Sequence, residues 1–81
     1  LLTGPPDLLI SRLREEGYRV ALAEAGVTVP DEWIFNTQFR RDDIAAALDH
    51  WLALPEPPDA VFAIYDAGAV ELMRLLKQRD I

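Results

Sequence analysis

Between Asp7 and Ala25 the residues Leu9, Leu13, Gly17, Ala21 and Ala25 recur at four-residue spacing, with Leu8, Val20 and Leu22 beside them. Arg12, Glu15, Glu16, Arg19 and Glu24 fall mostly outside that stripe. The spacing predicts an amphipathic helix, because residues four apart share one face of a helix with about 3.6 residues per turn. Pro5-Pro6-Asp7 suits its start and Gly26 its left-handed stop. A second helical pattern opens at Asp42, with Ile44, Ala47, Leu48, Trp51 and Leu52 on one face and Asp43, Asp49 and His50 toward the other. The Pro55-Glu56-Pro57-Pro58 cluster ends it. A third helix follows Asp66, with Val70, Met73 and Leu76 inside beside Leu72 and Leu75, and with basic residues toward its C-terminal end.

Three apolar stretches between these patterns read as strands. Leu1-Leu2-Thr3 looks like a strand tail running into the Gly4-Pro5 loop. Trp33 to Phe39 is rich in aromatic and β-branched residues, and Ala60 to Tyr65 is a continuously apolar run closed by Asp66. Strands alternating with helices need crossover connections, so the expectation is an α/β fold: a three-layer parallel sheet flanked by helices. Val61, Phe62, Ala63 and Ile64 are expected as its central strand, buried by Leu13, Ala21, Leu48, Trp51, Val70 and Met73.

Charge and composition narrow the function. The chain has 81 residues with 14 acidic against 8 basic, a formal charge of −6 that opposes the phosphate backbone any nucleic-acid binder must neutralise. Direct DNA binding by this segment is therefore not expected. There is no cysteine, hence no disulfide framework and no thiolate metal site, which is compatible with a cytoplasmic location. The apolar runs are far shorter than the roughly 20 residues that span a bilayer, so no membrane association is expected. The opening Leu1-Leu2-Thr3-Gly4-Pro5, without an initiating methionine, reads as cut from something longer.

Leu2-Thr3-Gly4-Pro5 followed by Arg12-Leu13-Arg14-Glu15-Glu16-Gly17-Tyr18-Arg19-Val20-Ala21-Leu22 resembles the part of LacI/GalR-type transcriptional regulators where a strand ends in a Gly-Pro loop and a helix follows. The register continues through Val29-Pro30, Trp33-Ile34 and Phe39, and through Pro58-Asp59-Ala60-Val61-Phe62-Ala63 to Tyr65-Asp66 and Ala69. Four pieces in order and spacing over nearly the whole chain make the resemblance fairly specific. It implies that residues 1–81 are a fragment of the second lobe of the effector-binding domain, a periplasmic-binding-protein-like type I fold, with no DNA-binding domain present. In such regulators a small metabolite, here a sugar or related compound, binds between two lobes and controls operator binding by a separate helix-turn-helix domain. A homodimer acting in the cytoplasm is the implied assembly, DNA being reached only through the missing N-terminal domain.

Ligands of open α/β sheets bind beyond the carboxyl ends of the strands, where Gly4, Pro5, Phe39, Tyr65 and Asp66 are expected. By resemblance, Arg14 takes the place of the arginine that hydrogen-bonds effector; the plain alternative is a solvated helix arginine beside an acidic neighbour. Phe39 matches a pocket-lining aromatic, or is simply core. Tyr65-Asp66 stands where the family usually shows Asn-Asp, so Tyr65 changes the pocket's chemistry, bonding through its hydroxyl or stacking on a ring. Asp66 either contacts ligand or caps the third helix. Asn36, Thr37 and Gln38 depart from the family's usual glycine-aspartate before Phe39.

Enzymatic readings find no footing. Asp42-Asp43 and Asp31-Glu32 are sequence neighbours that point apart rather than converge. His50 has no cysteine or spaced second histidine, so neither a metal nor a cofactor is expected. Ser11 lacks a nucleophile elbow, and Gly4-Pro5-Pro6 is no phosphate loop. The alternatives to a regulator are a periplasmic sugar-binding protein of a transport system, which shares the two-lobe architecture, and an isolated fragment without activity.

Overall fold

A computed structural model describes all 81 residues. Its elements run β1 (Leu2–Thr3), α1 (Leu9–Glu24), a short 3-10 turn (Asp31–Trp33), β2 (Phe35–Asn36), α2 (Arg41–Leu52) and α3 (Asp66–Gln78). The two strands are parallel, with Leu2 opposite Phe35 and Thr3 opposite Asn36. The unit is thus a small mixed α/β arrangement of three helices and a parallel sheet.

The middle of that sheet is β1, not Val61–Ile64. On one side Phe35 N donates to Leu1 O at 2.9 Å and Thr37 N to Thr3 O at 2.8 Å. On the other, Leu2 N donates to Phe62 O at 2.8 Å and Ile64 N to Leu2 O at 3.0 Å, forming a single parallel bridge between Leu2 and Ala63. Val61–Ile64 therefore lies at an edge, which corrects the expectation of a central strand there. The physical reason is that a continuous apolar run marks burial by neighbours without saying on how many sides they stand. With nothing beyond it, Phe62 is 64% exposed, whereas Leu2 is fully buried.

Leu2 packs with Ile44, Ala47, Leu48 and Trp51 of α2 and with Leu72 and Leu75 of α3. Four of the five apolar residues expected on one face of α2 are thus its buried face, while Leu52, at the helix end, is exposed. That of α3 is turned: Gly68, Glu71, Leu72 and Leu75 are its buried residues, while Val70 and Met73 are largely exposed. Its apolar stripe is wider than the surface α2 offers, so the part facing the open sheet edge stays uncovered. The same holds for α1, whose Leu13 and Ala21 are exposed and whose one buried residue is Ser11. Leu48 and Trp51 are therefore the two members of the expected set around Val61–Ile64 that are buried.

Local signals hold where they depend on backbone geometry. Gly26 has φ +84°, the left-handed conformation that a residue without Cβ adopts freely, and stands just past α1. Pro5–Leu8 form a turn before the helix, closed by Leu8 N to Pro5 O at 3.2 Å. Arg19 then ties α1 to the following linker, donating to Val29 O at 3.0 Å and Asp31 Oδ1 at 2.7 Å.

Candidate ligand site at the carboxyl ends of the strands

Because β1, β2 and the bridged segment run parallel, the residues that follow them emerge at one end of the sheet. Thr37 is the joint between them. It follows β2, is buried, and its backbone N–H and hydroxyl both reach Thr3 O, the hydroxyl at 3.0 Å. With its one proton spent there, Thr37 Oγ1 accepts from the Tyr65 hydroxyl at 3.1 Å and from Phe39 N at 3.3 Å. Asn36 Nδ2 adds a bond to Gly4 O at 3.0 Å. A hydroxyl and an amide thus knit the loops after β1 and β2 to Tyr65.

Phe39 and Tyr65 are brought together. Their rings meet edge to face, with centroids 5.0 Å apart and planes at 86°. Each ring lies over a glycine. A Cβ on Gly4 would stand 2.6 Å from Phe39 Cε1, and one on Gly68 would stand 2.6 Å from Tyr65 Cζ. The two aromatics border a cleft of about 240 Å³ with Arg40, Arg41, Ile44 and Gly68. The loop that carries Phe39 is clipped by Asp43 in the first turn of α2, whose Oδ2 accepts from Gln38 N at 2.6 Å and Arg40 N at 3.3 Å. Phe39 itself sits at φ +61°, a conformation that side chains with a Cβ rarely adopt.

Asp66 is the first residue of α3, exposed, with Tyr65 in the capping position and no side-chain cap bond. It contributes charge to the first turn, where a carboxylate complements the helix dipole, rather than a cap. Arg14 is exposed on α1 and forms no ion pair. It lines a different cleft, of about 470 Å³, with Leu1, Leu13, Tyr18, Leu22 and Phe62. The structure therefore gathers Phe39, Tyr65 and Asp66 at one rim and leaves Arg14 apart.

Glu71, absent from the expected site, borders the aromatic cleft. Its carboxylate takes Arg74 at 2.6 Å and Arg41 at 3.0 Å, joining α3 to the start of α2. Hydrogen bonding from Arg74, opposed by partial burial and aided by Arg41, lowers its pKa to about 2. Its signal in the sequence is an acid at 71 on the same helical face as Gly68, Leu72 and Leu75, with Arg74 three residues on. Thr37 had a weaker signal, a polar run at the end of an aromatic strand. No three side chains of the types that hold metal ions come together, and no helix is long and apolar enough to cross a membrane.

The chain has relatives among known proteins. Residues 1–81 match the family described as periplasmic binding protein-like domain. The ribose operon repressor of Escherichia coli (strain K12) is 38% identical over 80 residues, covering 99% of this chain and 24% of the repressor. The transcriptional repressor PurR of Vibrio cholerae (strain M66-2) is 40% identical over 68 residues, covering 84% of this chain and 20% of that protein. PurR of Vibrio campbellii is 37% identical over 80 residues. These relatives are named as repressors, not as enzymes, and the chain spans about a quarter of their length or less. No solved structure gives a significant match.

Proposed function

The chain belongs to the periplasmic-binding-protein-like domain family, in kinship with LacI-type repressors, and from that premise we propose that it is part of the second lobe of the effector sensor of a cytoplasmic transcriptional regulator. In the whole protein its helices cover both faces of a longer parallel sheet, giving three layers. A small polar metabolite, a sugar or a related compound, binds between this lobe and another, and its occupancy sets operator binding by a separate helix-turn-helix domain. Two copies form the working regulator, because two-fold dimers match paired operator half-sites. No catalytic step is assigned to it.

The observation that carries this reading is the convergence of Thr37, Phe39 and Tyr65 at the carboxyl rim. Thr37 holds the Phe39 loop and Tyr65 so that their rings form an aromatic wall, and Arg40 and Arg41 at the same cleft are the polar groups beside it, the pairing that a ligand with polar edges and an apolar face requires. Asp66 stands at the same rim, and Arg14, which lines a separate cleft on α1, is assigned to the effector from the family resemblance alone, its planar guanidinium suiting hydroxyls or a carboxylate. The relatives' names favour the regulator over a transport protein of the same architecture.

Calorimetric titration of the parent protein with D-ribose, other aldoses and nucleobases tests this. One of these compounds is expected to bind and to change the protein's affinity for its operator, with a coupling of about 1–3 kcal/mol. Binding by none of them would sink the reading.

A further inference from the structure

β1 gives its backbone groups to its two neighbours in turn. Leu1 faces the β2 side, its nitrogen donating to Trp33 O at 2.7 Å and its carbonyl accepting from Phe35 N at 2.9 Å. Leu2 faces the other way, to Phe62 O and Ile64 N. The N–H and C=O of one residue leave a strand on the same side, and the side alternates along it, so Phe62 N and Ala60 O also face the line of β1. Neither makes a backbone hydrogen bond. In the parallel register that sets Leu2 opposite Ala63, both fall opposite the position just ahead of Leu1. The β2 side is closed at that level, because the 3-10 turn takes Trp33 N to Pro30 O and Ile34 N to Asp31 O, each at 3.1 Å.

The space on that line is open. A cleft of about 560 Å³ adjoins Leu1 and is lined by Tyr18 and Leu22 of α1, Trp51 of α2, Trp33 and Phe62. Apolar walls around two unpaired ladder groups suit an extended chain, whose backbone satisfies the groups while its side chains meet the walls. The register also names the chain. The carbonyl that would meet Phe62 N is the one bonded to Leu1 N, so polypeptide continuous with β1 can supply it and a strand from a second copy cannot.

We propose that this cleft seats a strand of the parent protein's own chain running directly into β1, with the residue ahead of Leu1 accepting from Phe62 N and donating to Ala60 O. Strand alternation puts that residue's side chain on the face of Leu2, toward Trp51, and the side chain before it on the face of Leu1, toward Tyr18 and Leu22. Both positions call for apolar side chains. The inference rests on the chain being part of a longer lobe, and not on what that lobe binds.

Two measurements decide it. With ¹⁵N label at phenylalanine, the Phe62 amide of the parent protein should exchange with solvent about 100-fold more slowly than that of the 81-residue polypeptide, where it has no partner. Equal rates overturn the proposal, and protection in the 81-residue polypeptide that rises with its concentration puts a second copy in the cleft and overturns it too. Residues 1–81 hold no cysteine, so a pair can be placed in the parent protein to read the register. Cysteine substituted just ahead of Leu1 should form a disulfide under mild oxidation with Val61→Cys, its ladder neighbour at the roughly 4.8 Å between strands, and not with Phe62→Cys on the opposite face. A disulfide with Phe62→Cys instead, or with neither, overturns the register. Failure of the sensor reading looks different: no sugar binds, while exchange and cross-link come out as expected.

Discussion

The Tyr65 hydroxyl stands 3.1 Å from Thr37 Oγ1, and that single bond links the loop after β2 to the start of α3 across 28 residues of sequence. Thr37 in turn is fastened to Thr3 O by its amide and its hydroxyl. The rim is therefore set by backbone pairing in the sheet and transmitted outward through one buried hydroxyl. Tyr65 presents its ring to the cleft because its polar end is already engaged.

Removing that hydroxyl should be felt. Thr37→Val keeps the shape but leaves the Tyr65 hydroxyl and Phe39 N without their acceptor, at an expected loss of about 1–3 kcal/mol, the scale for orphaning a buried group. Tyr65→Phe removes only the donor and should cost about 0.5–1.5 kcal/mol, since Thr37 keeps Thr3 O. Urea denaturation of both variants checks the order; a larger loss for Tyr65→Phe would contradict Thr37 as the joint.

Glu71 makes stability depend on pH at the acid end. Its folded pKa of about 2 lies below the ordinary value of 4.5 for a free glutamate, so its contribution is complete above pH 4.5 and fades as pH falls toward 2. Protonation there loosens Arg74 first and Arg41 with it, releasing the tie between α3 and the start of α2. The urea midpoint of Glu71→Gln should therefore lie below that of the parent at neutral pH, with the gap closing between pH 4.5 and 2. A gap that stays constant over that range would show that the ion triad contributes nothing.

Arg14 has no partner within the chain and lies apart from the aromatic cleft. Its replacement by alanine should leave the unfolding free energy within about 0.5 kcal/mol of the parent, as for other exposed sites. If it grips effector from this lobe, affinity in the parent protein should fall roughly 10- to 100-fold, the range for a charge-assisted bond. Urea denaturation reads the first property and an operator-binding titration with and without effector the second; an unchanged response to effector would make Arg14 a surface arginine.

Periodicity was enough to locate three helices and most of the buried face of α2, because Ile44, Ala47, Leu48 and Trp51 all enter one core with Leu2, Leu72 and Leu75. It could not tell which apolar segment takes the middle of the sheet, since Leu2 and Val61 sit in equally apolar runs and differ only in what lies beside them. Nor could it tell which side of a wide stripe α3 would bury. At the site, Phe39 and Tyr65 were legible through the resemblance, and they do meet. Thr37 was not marked out, because threonine is an ordinary surface residue and this one matters only through partners far along the chain.

The last prediction concerns the sheet edge. Phe62 O and Ile64 N point toward β1, so by strand alternation the backbone groups of Val61 and Ala63 face away, and they make no backbone hydrogen bond. Val61, Phe62, Val70 and Met73 are exposed around that edge, presenting apolar side chains beside unpaired strand groups. Such an edge is a template for another strand. The 81-residue polypeptide should therefore self-associate in sedimentation velocity as its concentration rises, despite the repulsion implied by its charge of −6. Val61→Lys should shift it toward monomer, because a solvated ammonium at the edge resists strand addition while Phe62 O and Ile64 N keep their bonds to Leu2. A monomer that unfolds cooperatively at every concentration would mean that the edge is satisfied as it stands, and that the uncovered faces of α1 and α3 cost the chain little.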